Sequence, residues 1–214
     1  RSSDLFSLDP YIECSDVRPT DLPYEKTQHA AFRNDWMIIQ QRIDGTVDFI
    51  RDWDDYKRGF GDLCGNFWFG NDKIYQITSS RNHKLRVEVK RADGQWLVAE
   101  YQHFHIENEA NKYRLNCSGY IHSVSTAGDS LLNYSNPDGR HNGMFFSTPD
   151  RDNDKFIGGS CAQEFQSGWW FNICCATNLN APYTLPDCKD AMCIRWDDAT
   201  PSRPKDLRGT RMMI

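Results

Sequence analysis

The sequence predicts a mixed α+β domain: an antiparallel set of strands with short helices, followed by a loop-rich remainder. Three observations predict it. Residues 85–90 alternate as LRVEVK, turn through Ala92-Asp93-Gly94 and return as an apolar run. Trp53, Tyr56 and Phe60 recur at helical spacing with charges between them. From about residue 126 to 204, Gly, Asn, Asp, Ser and Pro dominate. At 214 residues the chain makes one large domain or two small ones, with room for a substantial core. Aromatic residues at 13% exclude disorder.

The elements follow in order. Residues 36–42 (WMIIQQR) read as a short apolar strand. Residues 52–60 read as a one- to two-turn amphipathic helix ended by Gly59 and Gly61. Asp52, Asp54 and Asp55 form its solvated face near the amino end. Residues 85–90 and 96–101 form the hairpin, and residues 104–106 and 113–117 continue the antiparallel set. After about Ser123 the regular pattern stops. That much loop exceeds what a compact domain carries unless metal and disulfides hold it. Residues 208–214 close the chain with another short apolar run.

Composition narrows the function. A net charge of -5 gives nucleic-acid binding no electrostatic support. No apolar run approaches the roughly 20 residues that span a bilayer. No signal peptide is visible, and the chain reads as a mature fragment or an excised domain. There is no G-x-S-x-G, H-E-x-x-H or Gly-rich phosphate loop. The eight cysteines include no C-x-x-C pair, and Asn116 and Asn133 each open an N-x-S sequon. Together these features favour a secreted, disulfide-bonded glycoprotein over a reduced cytosolic chain.

The most informative stretch is residues 150–175, DRDNDKFIGGSCAQEFQSGWWFNICC. Asp150, Asp152 and Asp154 alternate, Gly158 and Gly159 follow, and Cys161 and Cys174 flank Trp169-Trp170. Hard cations such as calcium take oxygen ligands from acidic loops with turn-forming glycines. The spacing is not that of an EF-hand, because no Glu stands where its bidentate ligand would be.

These residues resemble the fibrinogen carboxy-terminal-like domain, also called the fibrinogen-related domain. The segments that carry the resemblance are QQRIDGTVDF at 40–49, WDDYKRGFGDLCGNFWFGND at 53–72, AGDS at 127–130 and GMFFSTPDRDND at 143–154. GWWF at 168–171, TNLN at 177–180 and MMI at 212–214 complete them. The blocks run in the family's order across residues 36–214. The resemblance implies an amino-terminal piece (about 1–37), a central antiparallel sheet (38–123 plus 208–214) and a loop-rich calcium and recognition piece (124–207).

The resemblance also implies a site. Calcium would be held by the side chains of Asp152 and Asp154 and the carbonyls of Phe156 and Gly158. Cys161 and Cys174 would form a disulfide beside a ligand pocket, with a non-proline cis peptide at its floor. Many members place a histidine after the second cysteine; here Cys175 stands there. The recognition surface would centre on Glu164, Phe165, Cys174, Cys175 and Tyr183. Cys175 is expected to pair with Cys188 or Cys193, and Cys64 with Cys117, which leaves Cys14 unassigned. The family has no general enzymatic activity, so the chain is read as a non-enzyme. Two function classes follow. One is a secreted signalling or matrix ligand for a cell-surface protein receptor, the reading that Cys175 favours. The other is an innate-immune lectin for acetylated sugars. Oligomerisation would lie in a region outside this chain.

Overall fold

A computed structural model describes residues 17–22, 25–132, 135–183, 192–197 and 207–214. Its amino-terminal strands β1 (Val17–Leu22), β2 (Glu25–Arg33) and β3 (Trp36–Arg42) form an antiparallel meander. Helix α1 (Trp53–Arg58) follows, capped by Asp52, whose side chain accepts the Asp55 N–H, and ended at Gly59. Two short strands, β4 (Phe60–Gly61) and β5 (Phe67–Trp68), then lead to α2 (Asn71–Ser80). Strands β6 (His83–Arg91) and β7 (Trp96–Ile106) form the expected hairpin, closed by Gly94 donating to the Arg91 carbonyl at 2.9 Å. β8 (Leu115–Tyr120) pairs with β7.

The remaining elements are short. They are α3 (Cys161–Glu164), β9 (Thr177–Asn178) and β10 (Arg195–Trp196), before the closing strand β11 (Leu207–Met213). β11 inserts between β3 and β6, so the large sheet runs β1-β2-β3-β11-β6-β7-β8, with β4 and β5 attached at β3. The last apolar run of the sequence is thus buried in the middle of the sheet.

Three differences from the expected elements have physical causes. β7 is one strand of 11 residues where two runs were expected, because His103 continues its pairing with Ser118 of β8. β8 begins at Leu115 rather than Tyr113, since Lys112 and Tyr113 adopt φ of 53° and 47°. α2 buries Asn71, Ile74 and Thr78, a row with one apolar residue and too polar to show as periodic.

An aromatic cluster joins the sheet to the loop-rich part. Phe146 packs against Tyr56, Trp68 and Trp170 at ring separations of 5.3, 5.9 and 5.2 Å. Trp169 and Trp170 are fully buried, and the Trp170 indole donates to the Tyr113 carbonyl at 2.8 Å. Gly168 is required here: a Cβ would lie 2.6 Å from the buried Tyr56 ring. β3 reaches the same region. Gln40 and Arg42 donate to the carbonyls of Leu179 and Ala181 at 2.9 and 2.7 Å. These contacts fix the part of the chain that carries the candidate site.

Candidate functional site

The acidic loop is braced at both ends. Ser147 and Trp169 exchange backbone hydrogen bonds of 2.9 and 3.0 Å, as do Thr148 and Arg151 at 3.0 Å each. Asn153 donates to Ser147 Oγ and the Phe146 carbonyl at 3.0 and 2.9 Å. Lys155 donates to the Asn172 carbonyl at 3.0 Å. Within this frame, Asp152 accepts the Asp154 N–H at 3.1 Å. Asp154 accepts the N–H groups of Phe156 and Cys161 at 2.8 and 2.7 Å.

The two carboxylates face each other across that short turn. Burial pushes the Asp154 carboxyl up, and the Asp152 charge adds to it, while the two backbone N–H groups oppose the rise. Neither carboxylate has a Lys or Arg partner among the described residues. Repelling carboxylates without a counter-charge are a donor set that a hard divalent cation would relieve. No group of three or more His, Cys, Asp or Glu gathers for a metal among the described residues. The Phe156 ring packs beneath Gly158, where a Cβ would lie 3.1 Å from it.

α3 leaves this loop. Its amino end is capped by Ser160, which accepts the Gln163 N–H at 3.3 Å. The Cys161–Cys174 disulfide, with Cα atoms 5.5 Å apart, ties α3 to the segment after Trp170. This is the pairing that the resemblance implied. The Ile173–Cys174 peptide bond is cis, again at the implied place.

A cleft of about 390 Å³ opens beside the loop. Phe156, Phe165 and Ile173 supply its apolar walls, Glu164 its acidic rim, and Cys174 and Cys175 its floor. Asn136, Gly139, Arg195 and Asp197 complete it. Arg195 and Asp197 form a two-pronged ion pair: Nη2 lies 2.8 and 2.7 Å from the two carboxylate oxygens, and Nε lies 3.0 Å from Oδ1. Phe165 is 9% exposed and stacks on Phe171, so only its edge reaches the cleft. Ile173, at 44% exposed, is the apolar side chain that the cleft presents to solvent.

Behind the floor stands His141, fully buried. Its Nδ1–H donates to the Trp170 carbonyl at 2.8 Å, and Nε2 accepts the N–H groups of Ala176 and Thr177 at 3.2 and 3.1 Å. Burial lowers its pKa from 6.5 to about 4, so the ring is neutral at physiological pH. The turn at 136–139 grips the same segment from the other side. Ile173 donates to the Asp138 carbonyl, and Ala176 to the Gly139 carbonyl, both at 3.0 Å. The floor is thus held from two directions. His141 and Ile173 escaped the sequence reading because their partners lie distant in the chain, and the Arg195–Asp197 pair because only the fold brings it to the cleft.

Of the expected recognition residues, Glu164, Phe165, Cys174 and Cys175 meet in the cleft. Tyr183 stands apart: its hydroxyl donates to the carbonyls of Ile43 and Arg208 at 3.3 and 3.0 Å. The remaining cysteine expectations need correction. Cys175 is a thiol rather than half of a disulfide, and so is Cys117. Cys64 and Cys193 are disulfide-bonded, so the expected pairings of Cys175 with Cys188 or Cys193, and of Cys64 with Cys117, are not present. Cys117 sits on the buried face of β8, 3% exposed. Cys14, Cys188 and Asn133 lie outside the described residues. Asn116 lies on β8 opposite His105 and is partly exposed.

Residues 27–214 match the family described as the C-terminal globular domain of fibrinogen beta and gamma chains. The chain belongs to the fibrinogen carboxy-terminal domain family. Fibroleukin from Bos taurus is 40% identical over 184 residues, covering 86% of this chain and 39% of its own length. Angiopoietin-4 from Homo sapiens is 41% identical over 182 residues, covering 84% of this chain and 34% of its own length. The chain therefore spans little more than a third of these relatives. Among solved structures, the fibrinogen-like globe domain of human ANGPTL2 superposes with a TM-score of 0.82 at 30% identity, covering 92% of this chain and 90% of that one. The fibrin D-dimer of lamprey, solved with the peptide Gly-His-Arg-Pro-amide, gives 0.80 at 32% identity, covering 92% and 68%. This fibrinogen-type fold is thus one on which a related protein holds a peptide. No helix among the described residues is long and apolar enough to cross a membrane.

Proposed function

We propose that this fibrinogen-related chain is a secreted, calcium-stabilised recognition module that presents its cleft to an extracellular protein, either a cell-surface receptor or a matrix component. It acts by binding and not by catalysis. The observation that carries the reading is the cleft itself, with Ile173 exposed above a floor clamped by His141, the 136–139 turn and the Cys161–Cys174 disulfide. A surface fixed in this way loses little conformational freedom on binding. An exposed apolar side chain over a buried aromatic base suits insertion against a protein surface. The lamprey structure with its peptide ligand supports protein over sugar as the ligand class.

Calcium completes the module. Asp152 and Asp154 would hold the ion with their carboxylates, joined by the carbonyls of Phe156 and Gly158. The ion supplies the positive charge that the facing carboxylates lack. The residues 124–207 form the recognition part of the domain in this reading, and residues 38–123 with 208–214 its support.

The decisive experiment compares protein and sugar ligands directly. Tagged protein is applied to cultured cell surfaces and to a glycan array, each with millimolar calcium and with chelator. Saturable, protease-sensitive cell binding with no array signal supports the proposal. Calcium-dependent capture by N-acetylated sugars would instead establish the lectin reading.

A further inference from the structure

The acidic loop contains a carboxylate that the calcium reading leaves unassigned. Asp150 Oδ1 accepts two hydrogen bonds, from the Trp53 N–H at 3.0 Å and from Thr148 Oγ1 at 2.7 Å. The Trp53 N–H opens α1 and has no partner within the helix, so an outside acceptor satisfies it. The other features of Trp53 are gripped as well. Its indole N–H donates to Glu109 at 2.8 Å, and the Arg151 guanidinium lies 4.2 Å from its ring centre. Glu109 in turn accepts from Lys57 at 2.6 Å and lies 3.7 Å from Arg151. The ring is 4% exposed and stacks on Tyr113.

Trp53 is therefore a fixed post, and residues 150 and 151 are tied to it. Two residues later the chain reaches Asp152, and four later Asp154. We infer that Asp150 is a positioning residue for the calcium loop: it sets cation affinity by anchoring the chain to α1 and does not itself ligate the ion. Its Oδ1 is engaged by two donors, and its role needs an acceptor at that position, not a charge. The inference rests on the calcium reading given above. Groups that orient metal ligands without touching the metal act on affinity by holding the ligands in the binding geometry.

The test is a calorimetric calcium titration of wild type, Asp150→Ala and Asp150→Asn, with each fold checked by thermal melting in chelator. Asp150→Ala removes the acceptor and is expected to weaken calcium binding about tenfold, the low end of the effect of such supporting groups, because this carboxylate is open to water. Asp150→Asn keeps an oxygen for both donors and is expected to stay within about threefold of wild type, the loss of charge assistance to two bonds. If Asp150→Ala does not fold in chelator, Thr148→Val is read in its place, with a loss of about threefold for one removed donor. Wild-type affinity in the variant read for loss overturns the inference. An Asp150→Asn protein as weak as Asp150→Ala also overturns it, since charge and not position would then be what matters. A wild-type protein that binds no calcium overturns the calcium reading and this inference together.

Discussion

Protonation of His141 should unlock the floor of the cleft. The imidazole is fully buried and neutral, with both nitrogens engaged by backbone groups. A proton on Nε2 would set a donor against two N–H donors. Burial lowers its pKa from 6.5 to about 4, so the unfolded chain takes up a proton in that interval and the folded chain does not. The contribution is fully present above pH 6.5 and is lost as pH falls toward 4. At about 1.4 kcal/mol per pH unit, this interval amounts to about 3 kcal/mol, a large share of an ordinary domain's stability. Urea unfolding of wild type and His141→Gln at pH 7 and at pH 4 measures it. The other titrating groups are common to both proteins and cancel in the comparison. Wild type should lose about 3 kcal/mol more than the variant over this range, even though the variant starts less stable. Equal losses in the two proteins would refute the reasoning, because His141 would then titrate alike in both states.

Three further outcomes are expected. Calcium at a hundredfold excess over its Kd should stabilise wild type by about 2.7 kcal/mol, and Asp152→Ala/Asp154→Ala should abolish the shift in thermal melts; an undiminished shift would place the ion elsewhere. A maleimide should label Cys175 in the native protein well before Cys117, because Cys117 is 3% exposed and burial pushes its thiol pKa up; peptide mapping that finds Cys117 labelled first contradicts this. Gly168→Ala should destabilise by about 1–3 kcal/mol in urea titration, since its Cβ would press on the Tyr56 ring; an unchanged midpoint would show that the ring can yield.

The legible parts of this fold are those whose signal is local. β3 has the bounds that its apolar run indicated, and α1 starts and stops at Asp52 and Gly59 because a capping side chain and a glycine are written into the sequence. The β6–β7 hairpin declares itself by alternation around Gly94. β1, β2 and α2 were silent because VRPTDL, EKTQHAAFR and NDKIYQITSS carry no clear apolar periodicity, and strand pairing and tertiary packing order them instead. In the candidate site, the Cys161–Cys174 bridge and the cis bond before Cys174 came from resemblance to a family and from no spacing rule. His141 could not be read at all: its partners lie 29, 35 and 36 residues away. Cys175 misled for a related reason. Its departure from the family pattern together with Cys188 and Cys193 suggested a coordinated replacement, but bonding depends on where the loops bring cysteines in space.

The claim that the cleft is the recognition face can be tested with one pair of surface substitutions. Ile173 and Ile50 are almost equally exposed, at 44% and 43%, but only Ile173 lines the cleft. Cell-surface binding isotherms are measured for Ile173→Glu and Ile50→Glu in millimolar calcium, after matched thermal melts. A buried charge at an interface centre should weaken binding by about tenfold or more for Ile173→Glu, with Ile50→Glu indistinguishable from wild type. Full binding by Ile173→Glu, with the loss appearing at Ile50→Glu, would put the partner on a different face of the molecule.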